Sequence, residues 1–351
     1  MKAGKQQRRR NMIKAFSKIK YFIVDKMTDG ALKRKNIFDA YSANLKFLIE
    51  QGILSDIQPK FDNTYICPIC LNHFSESDLK NDSPNPLTLE DCPPKSLGGK
   101  ANILTCKSCN NTCGHEIDFH LVERMNEKDK STFIPGTSGK VTVEKDGRKV
   151  QGTFEVSEDG KMQMKHSYKN NNPSLLDDLI KTVSPKGENP IINLNFIKSK
   201  VDPKKLQLAL LKTGYLLVFE KFGYAFILDP IYDSIRKQLL NPDESIYPLD
   251  FWFNIPLPAP HVGVPFVTEK GLESILPMFL LETKVSSRLF ATIIPLTTKP
   301  IEDVIAEFKA RFEKTKSFDV EMDSVNGNIN YLSHLEGIKH LLNWITNVKQ
   351  T

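Results

Sequence analysis

The sequence predicts an α+β protein: basic N-terminal helices, a small metal-organised unit, a β-meander and a C-terminal α+β half. Three observations predict it. Apolar residues recur at helical spacing near both ends. Strict alternation broken by Asp-Gly turns fills the middle. Two CxxC pairs frame a loop rich in Pro and Gly. At 351 residues the chain is long enough for two or three domains, and 40% apolar with 26% charged residues is ordinary for a globular protein. No run of about 18 apolar residues marks a membrane span. The N-terminus "MKAGKQQRRRNMIKAFSKIK" has no continuous apolar core and no small-residue cleavage site, so it does not read as a secretory signal. The expected setting is therefore cytoplasmic, where the six cysteines stay reduced and metal ligation is favoured over disulfides.

The first expected segment is 1–62. Its opening twenty residues carry Lys2, Lys5, Arg8, Arg9, Arg10, Lys14, Lys18 and Lys20 and no acid, although the whole chain has a net charge of only +6. Such a block can neutralise phosphates of nucleic acid, Arg8, Arg9 and Arg10 above all, or it can be a solvated basic tail. Mixed apolar and basic residues predict a helix from Arg10 to Lys26. A second is expected in "NIFDAYSANLKFLIEQGIL", with Ile37, Tyr41, Leu45 and Leu48 on one face. The metal-like unit occupies 63–128. In 129–190, "SGKVTVEKDGRKVQGTFEVSEDGKMQMKHS" reads as an antiparallel meander turned at "KDGR" and "EDGK". "YKNNNPSLLDDL" and "VSPKGENP" read as loop or linker.

The last segment, 191–351, opens with a helix that Asp202 and Pro203 start and Gly223 stops. A shorter helix follows in "DPIYDSIRKQLLN". Strand-like runs come next ("FWFNIPL", "SILPMFLLET", "SRLFATIIPL"). Two closing helices lie in "PIEDVIAEFKARFEKT" and "YLSHLEGIKHLLNWITNV". This half is expected to have its own core. It shows no chemistry of its own. His261 sits among prolines and apolar residues, "GLESIL" lacks the glycine a nucleophile elbow needs after Ser274, and "KSLGGKAN" lacks the Gly-Lys-Ser/Thr order of a phosphate loop.

Cys67 and Cys70 form the first pair, Cys106 and Cys109 the second. A CxxC turn aims two sulfurs at one point, and two such turns give the four-cysteine set of structural zinc. A redox dithiol or unrelated buried cysteines are the other readings. Cys92 and Cys113 are left over as small buried side chains. His73 could replace a cysteine ligand, but four cysteines suffice. His120 reads as a solvated helix residue.

The pieces between and after the pairs carry a resemblance. "CPIC", "LTLEDCPPKSLGGK", "ANIL" and "TCKSCNN" follow one another in an order that resembles the HNH endonucleases, in the variant with a zinc-binding CxxC at each end. The family pattern runs CxxC, an acid-His dipeptide, Pro, a Ser-x-Gly-Gly turn, Asn, CxxC, and Asn or His after the last Cys. The segment "LKTGYLLVFEKFGYAFILDP" is also similar to segments that follow HNH modules in bacterial proteins. The resemblance implies a ββα-metal fold: two strands flanking an Ω-like loop, with a helix across them. The residues fit independently, since "LTLED" and "ANILTC" are strand-like and Ser108 is a plausible N-cap. On the helix, Asn111, His115 and Asp118 would share a face at i, i+4 and i+7, with Ile117, Leu121 and Met125 toward the core.

The implied activity is metal-dependent hydrolysis of phosphodiester bonds, with double-stranded DNA the expected partner. A divalent ion, Mg2+ or Mn2+, stabilises the leaving oxygen while a base activates water. By resemblance, Glu90 and Asn110 take the metal-ligand positions, and Asn102 takes that of the Asn that orients the base. Lys95 and Lys100 flank the loop and can meet phosphates. The sequence departs from the family at Asp91, which stands where the family has its general-base His. With an unperturbed pKa of about 4, an Asp is a poor base for water. Three readings stay open. Asp91 is a second metal ligand and His115 the base, oriented by Asp118. Asp91 is itself the base, raised by burial or by Glu90. Or the unit has lost catalysis and only binds nucleic acid or another partner. A ligand-sensing C-terminal half is a third class of function. The resemblance also suggests defence against foreign DNA and leaves open a homo-oligomer.

Overall fold

The protein is described here from a computed structural model, over residues 29–166, 169, 171–183, 193–196, 199–249, 252–255, 262–296, 300–315, 321–323 and 329–348. The expected helix from Arg10 to Lys26, with Arg8, Arg9 and Arg10, lies outside them, as does His261. The architecture is α+β, with antiparallel sheets throughout.

Helix α1 (Asp29–Glu50) buries Phe38, Tyr41, Leu45 and Leu48, while Ile37 is half-buried beside them. Two hairpins follow. The short one pairs β1 (Tyr65–Ile66) with β2 (His73–Phe74); the longer pairs β3 (Leu87–Cys92) with β4 (Lys100–Cys106). The β4 end runs straight into α2 (Lys107–Cys113), then a π-helical turn (Gly114–Asp118), then α3 (Phe119–Ser131). Strand, loop, strand and helix thus stand in the predicted order. Ser108 is not the N-cap, however; Cys106 is, and the Ser108 N–H donates to Asn85 Oδ1 (2.9 Å).

The loop between β3 and β4 needs its glycines. Gly98 has φ +87°, and a Cβ on Gly99 would come within 1.5 Å of the Pro93 carbonyl oxygen. The "SLGGK" turn is therefore a packing requirement as well as a motif.

The meander forms a four-stranded sheet in the order β7-β6-β5-β8, from β5 (Ser138–Lys145), β6 (Arg148–Val156), β7 (Met162–His166) and β8 (Asn193–Phe196). Both Asp-Gly turns are in place, with Gly147 and Gly160 at positive φ. The stretch expected as linker contains α4 (Pro173–Val183). Asn172 Oδ1 accepts the Ser174 N–H (3.0 Å), Pro173 opens the helix, and Leu176 is buried against Val143 and Val150. The cap is hidden in a run of asparagines.

In the C-terminal half, α5 (Pro203–Phe222) runs through the middle of the protein. Asp202 caps it, accepting the Lys204 and Lys205 N–H groups (2.8 and 3.3 Å), and Gly223 ends it at φ +60°. A Cβ there would meet Asn44 Oδ1 at 2.3 Å. Short α6 (Tyr224–Ile227) and α7 (Asp233–Leu240) follow. Strands β9 (Trp252–Ile255), β12 (Met278–Glu282) and β13 (Ser287–Thr292) make one sheet; β10 (Phe266–Val267), β11 (Ser274–Ile275), β14 (Ile294–Pro295) and β15 (Met322–Asp323) make another. Helices α8 (Ile301–Thr315) and α9 (Leu335–Val348) close the fold.

The C-terminal half does not keep a separate core. One apolar cluster runs from Phe38 through both hairpins and α5 to Ile345. Aromatic rings join the pieces: Tyr41 lies 4.6 Å from Phe219, and Tyr224 bridges the β1 edge, exchanging hydrogen bonds with the Ile66 N–H and C=O. The meander holds two small clusters of its own.

Candidate metal centre and the neighbouring carboxylates

The four cysteines of the CxxC pairs meet. Cys67 and Cys70 come from the β1–β2 turn, Cys106 ends β4, and Cys109 lies in the first turn of α2. Their sulfur atoms all lie within 4.8 Å of one another. A tetrahedral zinc with Zn–S bonds of about 2.3 Å places its sulfurs about 3.8 Å apart. Cys70 Sγ and Cys106 Sγ are 3.8 Å apart. Burial pushes the Cys67 thiol up, while hydrogen bonds from its three neighbours hold Cys106 down. The cluster can hold a metal ion such as zinc. Its frame is rigid: Leu71 turns at φ +56°, and Tyr215 Oη donates to the Pro68 carbonyl (2.6 Å). His73 is not in the cluster; its Nδ1 accepts the Lys60 N–H (3.2 Å).

The second polar centre lies beside it, under the hairpin. Glu90 is buried in β3 and accepts a hydrogen bond from Thr105 Oγ1 (2.9 Å). Its other oxygen pairs with Lys212 Nζ at 2.6 Å. Lys212 rises from the middle of α5, its side chain 2% exposed, and also reaches Asp118 Oδ2 at 2.7 Å. Burial opposes the ammonium, but Asp118 and Glu90 outweigh it and hold Lys212 well above the usual lysine range. Burial raises the Asp118 carboxyl, with Lys212 opposing and Glu90 adding to the rise. Asp118 Oδ1 is buried with no hydrogen-bond partner.

The sequence-expected site residues scatter around this triad. Asp91 is half-buried, and burial raises its carboxyl while Lys95 opposes. Glu90 pairs with Ile103 and Asp91 with Ala101, so Asn102 is the extra residue of a β-bulge. Its Nδ2 donates to Glu220 Oε1 on α5 (2.8 Å). Asn110 Nδ2 donates back to β3, to Thr88 Oγ1 (3.0 Å) and the Leu89 carbonyl (2.9 Å). Lys95 on the loop and Lys100 at the start of β4 are both exposed.

The expected shared face of Asn111, His115 and Asp118 does not form. The π turn widens the helix there and adds a residue, which turns Asp118 inward to Lys212 while Asn111 and His115 face solvent. Asp118 is therefore not placed to orient His115. Ile117, Leu121 and Met125 do face the core. His120 is half-buried on α3, and its Nδ1 accepts the Asp202 N–H (3.0 Å) at the start of α5.

These residues do not fit a catalytic Mg2+ or Mn2+ as they stand. Both Glu90 oxygens are engaged, and among the described residues no His, Asp or Glu cluster with metal-ligand geometry accompanies the four cysteines. Lys212 and Glu220 escape sequence reasoning. The signal for Lys212 is a lone charge inside the apolar run "LQLALLKTGYLLVF". Cys92 and Cys113 are buried thiols, as expected, Cys92 donating to the Thr213 carbonyl (3.3 Å). No helix among the described residues is long and apolar enough to cross a membrane. Comparisons with known protein families, curated proteins and solved structures return no match.

Proposed function

We propose that the protein is a zinc-organised nucleic-acid-binding protein, built on an HNH-like hairpin that does not cut. One observation carries the reading: Lys212 Nζ stands 2.6 Å from Glu90 and 2.7 Å from Asp118, sealed from water. A hard divalent ion bonds carboxylate oxygen at about 2.0–2.6 Å. Lys212 fills that space and satisfies the charge that would draw the ion in. The order of CxxC, acid, Gly-Gly turn, Asn and CxxC supports the HNH-like scaffold. The acid-free basic N-terminus and exposed Lys95, Lys100 and Lys107 around the hairpin support binding to phosphates. Incubating the full chain with plasmid and Mg2+ or Mn2+, beside EDTA, tests it. The expected result is intact plasmid that is still retarded in a gel, with zinc still bound. Metal-dependent nicking would overturn it.

A second reading, the metal-dependent endonuclease, is favoured by Asp91. Its carboxyl is half-buried, raised by desolvation, and adjacent to Glu90. A raised carboxyl is a better general base than an ordinary one. In this reading substrate draws Lys212 out of the site, Asp91→Asn abolishes cutting, and His115→Ala leaves it intact.

A further inference from the structure

An open cleft of about 950 Å³ separates α3 from the β5–β8 sheet, away from the cysteine cluster. Its walls carry five cations against two acids. Arg124 pairs with Glu127 (3.3 Å). The ammonium groups of Lys128, Lys130, Lys140 and Lys200 make no ion pair or hydrogen bond with any described residue. Unpaired cations converging on one concave surface raise its potential and select an anion.

The same cleft shows two large apolar rings to water. Phe119, at the start of α3, is 43% exposed, and Phe196, at the end of β8, is 40% exposed. Phe196 is not a loose side chain. Phe133 and Phe154 back it at ring-centroid distances of 5.8 and 5.7 Å, so the ring is held in place where it lines the cleft. Gly139 keeps the floor low, since a Cβ there would press within 2.8 Å of the Phe154 ring and 3.3 Å of the Lys130 stem.

We propose that this cleft binds single-stranded nucleic acid, with bases stacked on Phe119 and Phe196 and phosphates on Lys128, Lys130, Lys140 and Lys200. A duplex hides the faces of its bases in its own stack and cannot use the rings. An acidic peptide would use the lysines and leave the rings wet. A single strand offers π-faces and phosphates together, which is the combination of an aromatic platform with a basic groove. The proposal rests on the nucleic-acid reading above for its ligand class, but on different residues.

The test is fluorescence anisotropy on the full chain with a labelled oligothymidylate, against a duplex of equal length, over a salt series. The variants are Lys128→Glu/Lys140→Glu/Lys200→Glu and, separately, Phe119→Ser; all four positions are exposed, and thermal melts check that the fold is kept. The single strand is expected to bind more tightly than the duplex. The charge variant is expected to weaken it by at least about tenfold and to flatten the salt slope by about 0.7 for each phosphate no longer neutralised. Phe119→Ser is expected to weaken it by about 5- to 100-fold. Single-strand binding unchanged in both variants would overturn the cleft and leave the nucleic-acid reading standing. Wild-type protein that binds neither form would overturn both. Polyglutamate competing as well as oligothymidylate would overturn the stacking and with it the proposal.

Discussion

The cysteine cluster and the Lys212 triad both draw on the β3–β4 hairpin and the helix after it, and each brings acidic side chains into a buried place. They are neutralised differently. The cluster takes its four sulfurs from two CxxC segments within residues 67–109, and sulfurs this close can be balanced by a shared metal ion. The triad takes its cation from the chain: Lys212 is 94 residues from Asp118 and reaches it across the packed face of α5. The first centre can hold a metal ion such as zinc, and in that case it would tie folding to metal supply. The second ties the hairpin to the C-terminal half and works against a second metal. Local ligands leave a spacing in the sequence; a distant lysine leaves none.

The largest effect expected from this difference is metal removal. Structural zinc binding is worth about 10–16 kcal/mol of folding free energy in small modules. Stripping zinc with a strong chelator, or Cys106→Ser, should abolish the cooperative melt of the hairpins, followed by circular dichroism and by release of zinc to a colorimetric dye. An unaltered melt after complete zinc loss would remove the distinction between the centres.

Lys212→Met comes next. It leaves two carboxylates buried without their cation, a loss of about 3–5 kcal/mol. Urea midpoints should report it, and added zinc should not rescue it. Adding Glu90→Gln and Asp118→Asn should recover most of the loss. If the triple variant is no better than the single one, the triad is not acting as a charge unit.

Asn102→Ala cuts the hydrogen bond from the bulge to Glu220 and should cost about 1 kcal/mol. Burial raises the Glu220 carboxyl, and the Asn102 hydrogen bond opposes that rise, so the variant should raise it further. A carboxyl-specific infrared titration reads the direction.

Asp118 gives the pH prediction. Its folded carboxyl lies above the ordinary value of 3.8 because it is buried. A folded group that holds its proton longer than the unfolded one favours folding at low pH, below the unfolded value. That contribution is lost as pH rises through the folded value. Asp118→Asn should remove this decline, so the stability curves of wild type and variant should diverge as pH rises above about 4. Parallel curves would place the charge elsewhere. His115→Ala should do least, under about 0.5 kcal/mol, because the imidazole faces solvent.

The order of these effects follows what the sequence can and cannot reveal. The cysteine spacing is legible because CxxC turns fix their own geometry. Helix α5 is legible at both ends because Asp202, Pro203 and Gly223 act within one turn. The meander is legible through its Asp-Gly turns. The face of Asn111, His115 and Asp118 is not, because a regular 3.6-residue period fails where the chain takes a π turn. Helix α4 is hidden because its Asn172 cap lies in an asparagine run that also reads as loop. Glu90 stands out in the sequence as an acid inside a strand, but its partner cannot be named there. That partner is set by how α5 packs against β3, which no local pattern encodes.

Under the proposed function, Lys212 occupies the space beside Glu90 that a divalent ion would need. Electron paramagnetic resonance of Mn2+ added to the zinc-loaded full chain tests it most directly. The Mn2+ signal is expected to stay that of the free ion, with zinc undisturbed. Stoichiometric loss of the free Mn2+ signal, restored by Glu90→Gln, would contradict it and return the hairpin to the metal-dependent nuclease reading.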